Sequence, residues 1–194
     1  MKAVAHLQTP ASGIRRSTRR CLGFTLPELL LALAIGALLL GLAAPSFERT
    51  LRQWTLLRTA QSVLAAAHQA RSSAAARALP VVLCQTDAPG HCGAAGSVVS
   101  GWQLFVAHSM SSPPRLSPGD ELLQVLPLPT DVELRSNRTA LTWWPSARAG
   151  TTATLVFCDA RARAAPRTLI VSQSGRPRLD SRLSDGSAPD CGHG

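Results

Sequence analysis

Residues 23–44 read GFTLPELLLALAIGALLLGLAA and form the longest apolar stretch of the sequence. From Leu29 to Ala44 it carries no polar side chain, and with Phe24 to Leu26 it reaches about the length of a helix that crosses a bilayer. Basic residues without any acid precede it, which is typical of an N-terminus kept in the cytoplasm: Lys2, Arg15, Arg16, Arg19 and Arg20. The pattern predicts either a membrane anchor or a secretory signal peptide.

Two features favour the anchor over the signal peptide. Glu28 lies inside the apolar stretch, where a carboxylate is costly unless a cation pairs with it. After Ala44 the chain continues with Pro45 instead of a small-residue cleavage site, and a helical pattern resumes. Apolar residues then recur at threes and fours, as expected for one stripe of an amphipathic helix: Phe47, Leu51, Trp54, Leu57, Ala60, Leu64 and Ala67.

We expect this helix to run from Phe24 to about Arg77 and to stop before Pro80, because proline cannot continue it. Residues 24–44 are predicted to span the membrane. The second half of the helix is predicted to pack against the chain's own soluble domain through the first four residues of the stripe, Phe47, Leu51, Trp54 and Leu57.

Residues Gly23 to Leu30 resemble the processing motif of type IV pilins and type II secretion pseudopilins. The resemblance implies that residues 1–23 are a leader, that prepilin peptidase cuts after Gly23, and that the new terminal amine of Phe24 is methylated. It also implies that Glu28 neutralises the terminal amine of a neighbouring subunit during assembly. Pro27 stands where many family members have isoleucine, and the first turn of a helix tolerates proline.

Beyond Pro80 the sequence pattern changes to short runs of residues typical of β-strands, separated by Gly, Pro and Ser. No helical pattern separates these runs, so we expect antiparallel pairing. Residues 109–119 are predicted to form an exposed loop and residues 181–194 a polar tail. The predicted strands are Val81–Cys84, Trp102–Ala107, Glu121–Leu126, Val132–Leu134, Ala140–Trp144, Thr154–Cys158 and Arg167–Ser172.

Several of these runs resemble the GspH/FimT group of minor pilins and pseudopilins. The similar segments are Pro80–Cys84, Gly101–Phe105, Leu155–Cys158 and Arg167–Ser172 leading to Gly175. The resemblance implies an α+β, pilin-like fold in which a long N-terminal helix (24–79) packs on an antiparallel β-rich domain (80–194).

Removal of residues 1–23 would take Cys21 with it and leave four cysteines in the polar part of the chain: Cys84, Cys92, Cys158 and Cys191. An even number suits two disulfides in an oxidising compartment. The spacing suggests Cys84–Cys92 and Cys158–Cys191 among three possible pairings. Buried thiols and a zinc site that uses His91 or His193 are the alternatives, although no C-x-x-C pair is present.

The formal net charge of +9 comes mainly from the leader, and arginine is the only basic residue after it. Six arginines fall within 22 residues: Arg161, Arg163, Arg167, Arg176, Arg178 and Arg182. Such a cluster suits phosphate, because the guanidinium donates paired hydrogen bonds. Gly175-Arg176-Pro177-Arg178 resembles the G-R-x-R motif by which some FimT-type minor pilins are thought to bind DNA. On that analogy Arg176 and Arg178 hold phosphates, with auxiliaries at Arg161, Arg163 and Arg182. The alternative is a solvated basic edge that binds nothing.

No nucleophile elbow, P-loop, zinc-protease or dinucleotide motif is present, so we predict no enzyme, no cofactor and no metal. We expect a subunit of a type II secretion pseudopilus or a type IV pilus, inserted once in the inner membrane with its C-terminal domain in the periplasm. Its predicted partners are other pilin-like subunits, at the filament tip, and prepilin peptidase. The alternative function is DNA binding during natural transformation.

Overall fold

The structure is a computed structural model that describes residues 24–87, 92–93, 99–146 and 150–192, without the side chains of residues 42–45. The chain divides into two compact units, Met1–Leu42 and Ala43–Gly194. Gly23, His91 and His193 lie outside the described residues, so the predictions made for them stay predictions.

Helix α1 spans Leu26–Arg77, close to the predicted range. Pro27 and Glu28 occupy its first turn, where a missing backbone N–H costs nothing and a carboxylate faces the positive end of the helix dipole. The helix ends because Ala78 adopts a left-handed conformation (φ 54°) and Pro80 follows two residues later.

Eight strands follow α1, and they form two four-stranded sheets in which every pairing is antiparallel. Sheet A has the order β3-β2-β1-β5, and sheet B the order β4-β6-β7-β8. The strands are β1 Val81–Thr86, β2 Gly101–Val106, β3 Glu121–Pro127, β4 Val132–Ser136, β5 Ala140–Trp143, β6 Ala153–Asp159, β7 Arg167–Val171 and β8 Pro177–Asp180.

The predicted α+β fold is confirmed: all seven predicted strands are present, with ends that differ by one or two residues. The eighth strand, β8, was not predicted. It pairs with β7 from Thr168↔Asp180 to Val171↔Pro177, so the region that contains the G-R-x-R motif belongs to a hairpin.

One apolar core holds the second compact unit together. It takes side chains from α1 and from the inner faces of both sheets, and its largest fully buried members are Trp102, Trp143, Phe157, Leu56 and Leu83. A second, smaller cluster lies on the outer face of sheet A around Val82, Cys84 and Phe105. Burial of each such side chain stabilises the fold by about 1.5–3 kcal/mol.

The prediction that Phe47, Leu51 and Trp54 pack on the domain is wrong. Their side chains are 63%, 51% and 59% exposed, and Leu57 is only half-buried. The face of α1 that enters the core begins later and is rich in alanine, which lets the helix approach the sheets closely: Leu56, Ala60, Val63, Ala66, Ala67, Ala70 and Ala74. Apolar residues recur every three or four positions both before and after Leu56, where the buried face of α1 begins. The sequence pattern therefore assigned the exposed turns before Leu56 to the core by mistake.

Two disulfides close parts of the domain, as predicted. Cys84 on β1 bonds to Cys92, and Cys158 on β6 bonds to Cys191 in the C-terminal tail. The amide Nε2 of Gln103 donates to Cys84 Sγ at 3.4 Å. The second disulfide fixes the tail, residues 181–192, to sheet B.

Candidate functional site

The N-terminal part of α1 is an apolar helix that nothing in the described part of its own unit covers. Every large apolar side chain described between residues 26 and 40 is more than half exposed: Leu26, Leu29, Leu30, Leu31, Leu33, Ile35, Leu38, Leu39 and Leu40. Phe24 is 81% exposed ahead of it, and Glu28 is exposed in its first turn. A surface of this kind marks a place for contact with a membrane or with other proteins.

Within the described residues, no single helix passes a test of length and hydropathy for a membrane span. Leu26–Gly41 and Ser46–Arg77 pass that test only when they are taken together.

A second functional region is the attachment of α1 to the loops of sheet B. The guanidinium of Arg52 contacts Glu48 on α1, Asp131 before β4 and Asp159 at the end of β6, at 3.3–3.4 Å. The side-chain oxygen of Gln53 accepts a hydrogen bond from the backbone N–H of Ala165 at 3.0 Å, and its Nε2 donates to the carbonyl of Ala165 at 3.4 Å. These contacts hold the helix to the β6–β7 connection.

The same attachment takes up two of the five predicted phosphate-binding arginines. Arg163 pairs with Glu48 Oε2, and Arg161 lies 3.9 Å from Glu48 Oε1. The N–H of Arg163 also donates to Asp159 Oδ2 at 2.7 Å. The described contacts therefore place Arg161 and Arg163 beside α1, whereas their predicted partners lie in the β7–β8 hairpin.

Arg176 and Arg178 are exposed and lie two residues apart around β8, with the buried Pro177 between them. Side chains alternate along a strand, so both arginines belong to the face of sheet B that is turned away from the core. Arg178 pairs in register with Ile170 on β7, which in turn pairs with Thr154 on β6.

Together these strands form a groove of about 760 Å³, and its lining among the described residues includes both arginines and no acid. Its other lining residues are polar or small apolar ones: Asn137, Thr152, Ala153, Thr154, Ile170, Val171, Ser172, Pro177 and Ser184. Ser184 belongs to the disulfide-tethered tail. No carboxylate pairs with Arg176 or Arg178 in the part of the chain that the structure describes. Two free guanidinium groups over hydroxyl and amide groups suit an anionic ligand.

Arg182, the third arginine of this region, follows β8 and donates to the carbonyl of Gly186 at 3.0 Å. In the same turn, the hydroxyl of Ser187 donates to Asp185, and this hydrogen bond, with one from the Ser187 N–H, lowers the pKa of Asp185 below its usual 3.8. Arg182 is thus engaged within the tail and does not line the groove.

The glycine of the motif has a structural task in the hairpin. The backbone N–H of Ser172 bonds to the carbonyl of Arg176, so residues 173–175 form a three-residue hairpin loop. Such loops require a left-handed residue, and Gly175 supplies it at φ 70°. The indole Nε1 of Trp143 on β5 donates to the carbonyl of Gly175 at 2.9 Å. Nothing in the sequence pattern marks Trp143 for this role, whereas Gln173-Ser174-Gly175 between two alternating runs is a hairpin signal.

No group of three or more His, Cys, Asp or Glu side chains suited to a metal is found among the described residues. Both disulfide pairs use the cysteines that the zinc alternative would need.

These features define a class: a pilin-like subunit with an apolar N-terminal helix and an antiparallel β domain. The sequence matches the prokaryotic N-terminal methylation motif over residues 18–44 and the family of type II transport protein GspH over residues 59–175. The chain belongs to the GspH family, whose members are structural pilin and pseudopilin subunits. The family match ends at Gly175, so Arg176 and Arg178 lie beyond it.

Two crystal forms of the type IV minor pilin FimU from Pseudomonas aeruginosa are similar in structure. Both matches have 20% sequence identity and cover 69% of this chain. They cover 92% and 97% of the two FimU chains, with TM-scores of 0.46 and 0.45 respectively. A comparison with curated proteins finds no significant match.

Proposed function

We propose that this protein is a non-catalytic minor pilin or pseudopilin that assembles into a filament through α1. Residues 1–23 are the leader that prepilin peptidase removes, residues 24–79 form the helix with 24–44 in the inner membrane, and residues 80–194 form the periplasmic domain. The observation that carries the proposal is the run of apolar side chains between Leu26 and Leu40, each more than half exposed.

The exposed residues Phe47, Leu51 and Trp54 extend the same role. They lie on α1 but leave the core of their own domain, so their apolar surface is available to the helices of neighbouring subunits. Glu28 supplies the carboxylate that pairs with the terminal amine of such a neighbour, because an unpaired charge in an apolar assembly is costly.

The first experiment separates processing from assembly. Gly23→Leu is expected to block cleavage in cells that express prepilin peptidase, since the peptidase site requires the small residue. Mass spectrometry of the purified chain reports the N-terminus. Gly13→Leu, the same change elsewhere in the leader, is the control and should be cleaved normally. A normally shortened Gly23→Leu product would refute the prepilin assignment.

Glu28→Gln keeps the size of the side chain and removes its charge. We expect it to be cleaved and methylated but absent from sheared or cross-linked filaments, with Glu121→Gln, a half-exposed glutamate on β3, as a control outside the apolar segment. Normal incorporation of Glu28→Gln would contradict the assembly role of the carboxylate.

A second candidate function is favoured by the groove: contact with the phosphate backbone of DNA through Arg176 and Arg178, as in uptake for transformation. The support is the pair of exposed arginines on one face of sheet B, in a groove where the described lining residues include no acid. Such contact would be independent of base sequence and would weaken as salt rises.

The test uses the mature protein in detergent micelles and a fluorescently labelled DNA duplex over a salt series. Arg176→Ala with Arg178→Ala should weaken binding and reduce the slope of log K against log salt by about two. Arg49→Ala with Arg58→Ala removes the same charge from α1 and should leave that slope nearly unchanged. Absence of binding by the unaltered protein at low salt would leave the assembly role alone.

A further inference from the structure

The hydrogen bond between Trp143 and Gly175 connects sheet A to the arginine hairpin of sheet B. From it we infer that Trp143 is a positioning residue, which holds Arg176 in the orientation that the groove needs to bind a phosphate. This inference rests on the second candidate function above, contact between the groove and a nucleic-acid backbone.

The indole of Trp143 is buried (2% exposed), so its N–H needs an acceptor inside the protein. The acceptor is the carbonyl oxygen of Gly175, at 2.9 Å. That carbonyl belongs to the peptide group which joins Gly175 to Arg176. Because a peptide group is planar, fixing its oxygen also fixes the direction in which the backbone of Arg176 begins.

Close packing reinforces this hydrogen bond. A Cβ on Gly175 would lie 3.0 Å from Cδ1 and 3.2 Å from Nε1 of Trp143, and a Cβ on Gly150 would lie 2.8 Å from the Cα of Gly175. The N–H of Gly150 also donates to the carbonyl of Gln173 at 3.3 Å. The tip of the hairpin therefore rests on the indole with no space for a side chain between them.

The other side of Arg176 is held as well. Its carbonyl oxygen accepts the backbone N–H of Ser172 at 3.1 Å and the hydroxyl of Ser172 at 3.3 Å. Both peptide groups that flank Arg176 thus have fixed partners, one from β5 of sheet A and one from the hairpin itself. Arg178, by contrast, is placed by the pairing of β8 with β7.

The substitution Trp143→Phe keeps an aromatic ring in the core and removes the N–H donor. Trp102→Phe is the matched control, because Trp102 is equally buried in the same core (1% exposed), and its Nε1 has no partner in the described structure. Both variants are expected to lower the melting temperature. Only Trp143→Phe is expected to weaken DNA binding, by roughly fivefold, and to reduce the salt slope by about one, the effect of losing one phosphate contact.

The decisive measurement repeats Trp143→Phe in the Arg176→Ala background, with the mature protein in detergent micelles and the labelled duplex. If Trp143 acts through Arg176, its replacement has no further effect on affinity once Arg176 is gone. An equal loss of affinity in both backgrounds, or an equal loss for Trp102→Phe, would overturn the inference.

The outcomes also separate this inference from the function beneath it. If the wild-type protein binds no DNA at low salt, both the DNA-binding function and the positioning role of Trp143 are refuted. If Arg176→Ala loses DNA binding but Trp143→Phe keeps it, only the positioning role of Trp143 is refuted. Hydrogen exchange gives a readout without DNA: the backbone amides of residues 172–176 and of Arg178 should exchange faster in Trp143→Phe than in Trp102→Phe, and equal rates would count against the inference.

Discussion

The guanidinium Nη1 of Arg52 lies 3.4 Å from Oδ1 of Asp159, and this ion pair joins α1 to the end of β6 across 107 residues of sequence. Asp159 is 3% exposed at its side chain and also accepts the backbone N–H groups of Arg163 and Ala164 through its other oxygen. One buried carboxylate therefore orders the β6–β7 connection and attaches the helix to it.

Removal of this carboxylate should be costly. We expect Asp159→Ala to lower the free energy of unfolding by about 3 kcal/mol, because Arg52 loses its most buried partner and two N–H groups lose their acceptor. Urea unfolding of a fragment that holds the second compact unit, residues 43–194, measures the change. Asp131→Ala is the control: its carboxylate is 45% exposed, and we expect a loss of at most about 1 kcal/mol. Equal losses would show that burial of Asp159 is not the cause.

Two neighbouring positions on α1 should separate folding from assembly. Leu56 is 1% exposed, and Leu56→Ala is expected to destabilise the 43–194 fragment by about 2–5 kcal/mol. Trp54 is 59% exposed, and Trp54→Ala should change the stability by less than about 0.5 kcal/mol. In cells, Trp54→Ala should nevertheless lower the amount of the chain in filaments. A stable, fully incorporated Trp54→Ala protein would refute the proposed contact.

The tail should depend on its disulfide. Cys191→Ser opens a loop closed over a separation of 33 residues, for which the chain-entropy estimate is a loss of about 4 kcal/mol. Cys92→Ser opens a separation of only 8 and is expected to cost about 2.5 kcal/mol on the same basis. Urea unfolding compares the two variants. A larger loss for Cys92→Ser would mean that packing around Cys84 outweighs loop length.

A pH effect is expected at Asp185. Its folded pKa is lowered by the hydrogen bonds of Ser187, so the associated stabilisation is present above the ordinary value of 3.8 and is lost as pH falls through the folded pKa. Ser187→Ala removes the hydroxyl, the largest of these causes, and should move the pKa of Asp185 up towards 3.8. An NMR titration of the Asp185 side-chain carboxyl in the wild type and in Ser187→Ala measures the change, and equal pKa values in the two proteins would contradict it.

The sequence predicted the elements well and their faces less well. Seven strands and the helix follow from local apolar runs and from punctuation by Gly and Pro, which residues 81–172 carry clearly. Strand β8 is four residues long and begins at a proline, so its pattern is too short to show without its partner β7. The burial of Leu56 instead of Trp54 is set by where the sheets meet the helix, which periodicity alone cannot report.

The arginines show the same limit. Their closeness in sequence suggested one cluster, but Arg163 pairs with Glu48 of α1, whereas Arg176 lines the groove of sheet B. Charge density along a chain does not reveal which charges already have partners. The cysteine pairing was predicted from spacing, which favoured one of the three combinations that four cysteines allow.

The order of the strands also matters for how the chain is made. Because synthesis proceeds from the N-terminus, α1 and all of sheet A precede the last strand of sheet B. A nascent or truncated chain that stops before Pro177 would expose the edge of β7 and leave Cys158 without Cys191. An exposed edge strand invites pairing with other chains. Premature termination near the C-terminus should therefore yield an aggregation-prone and degradable product instead of a slightly shorter subunit.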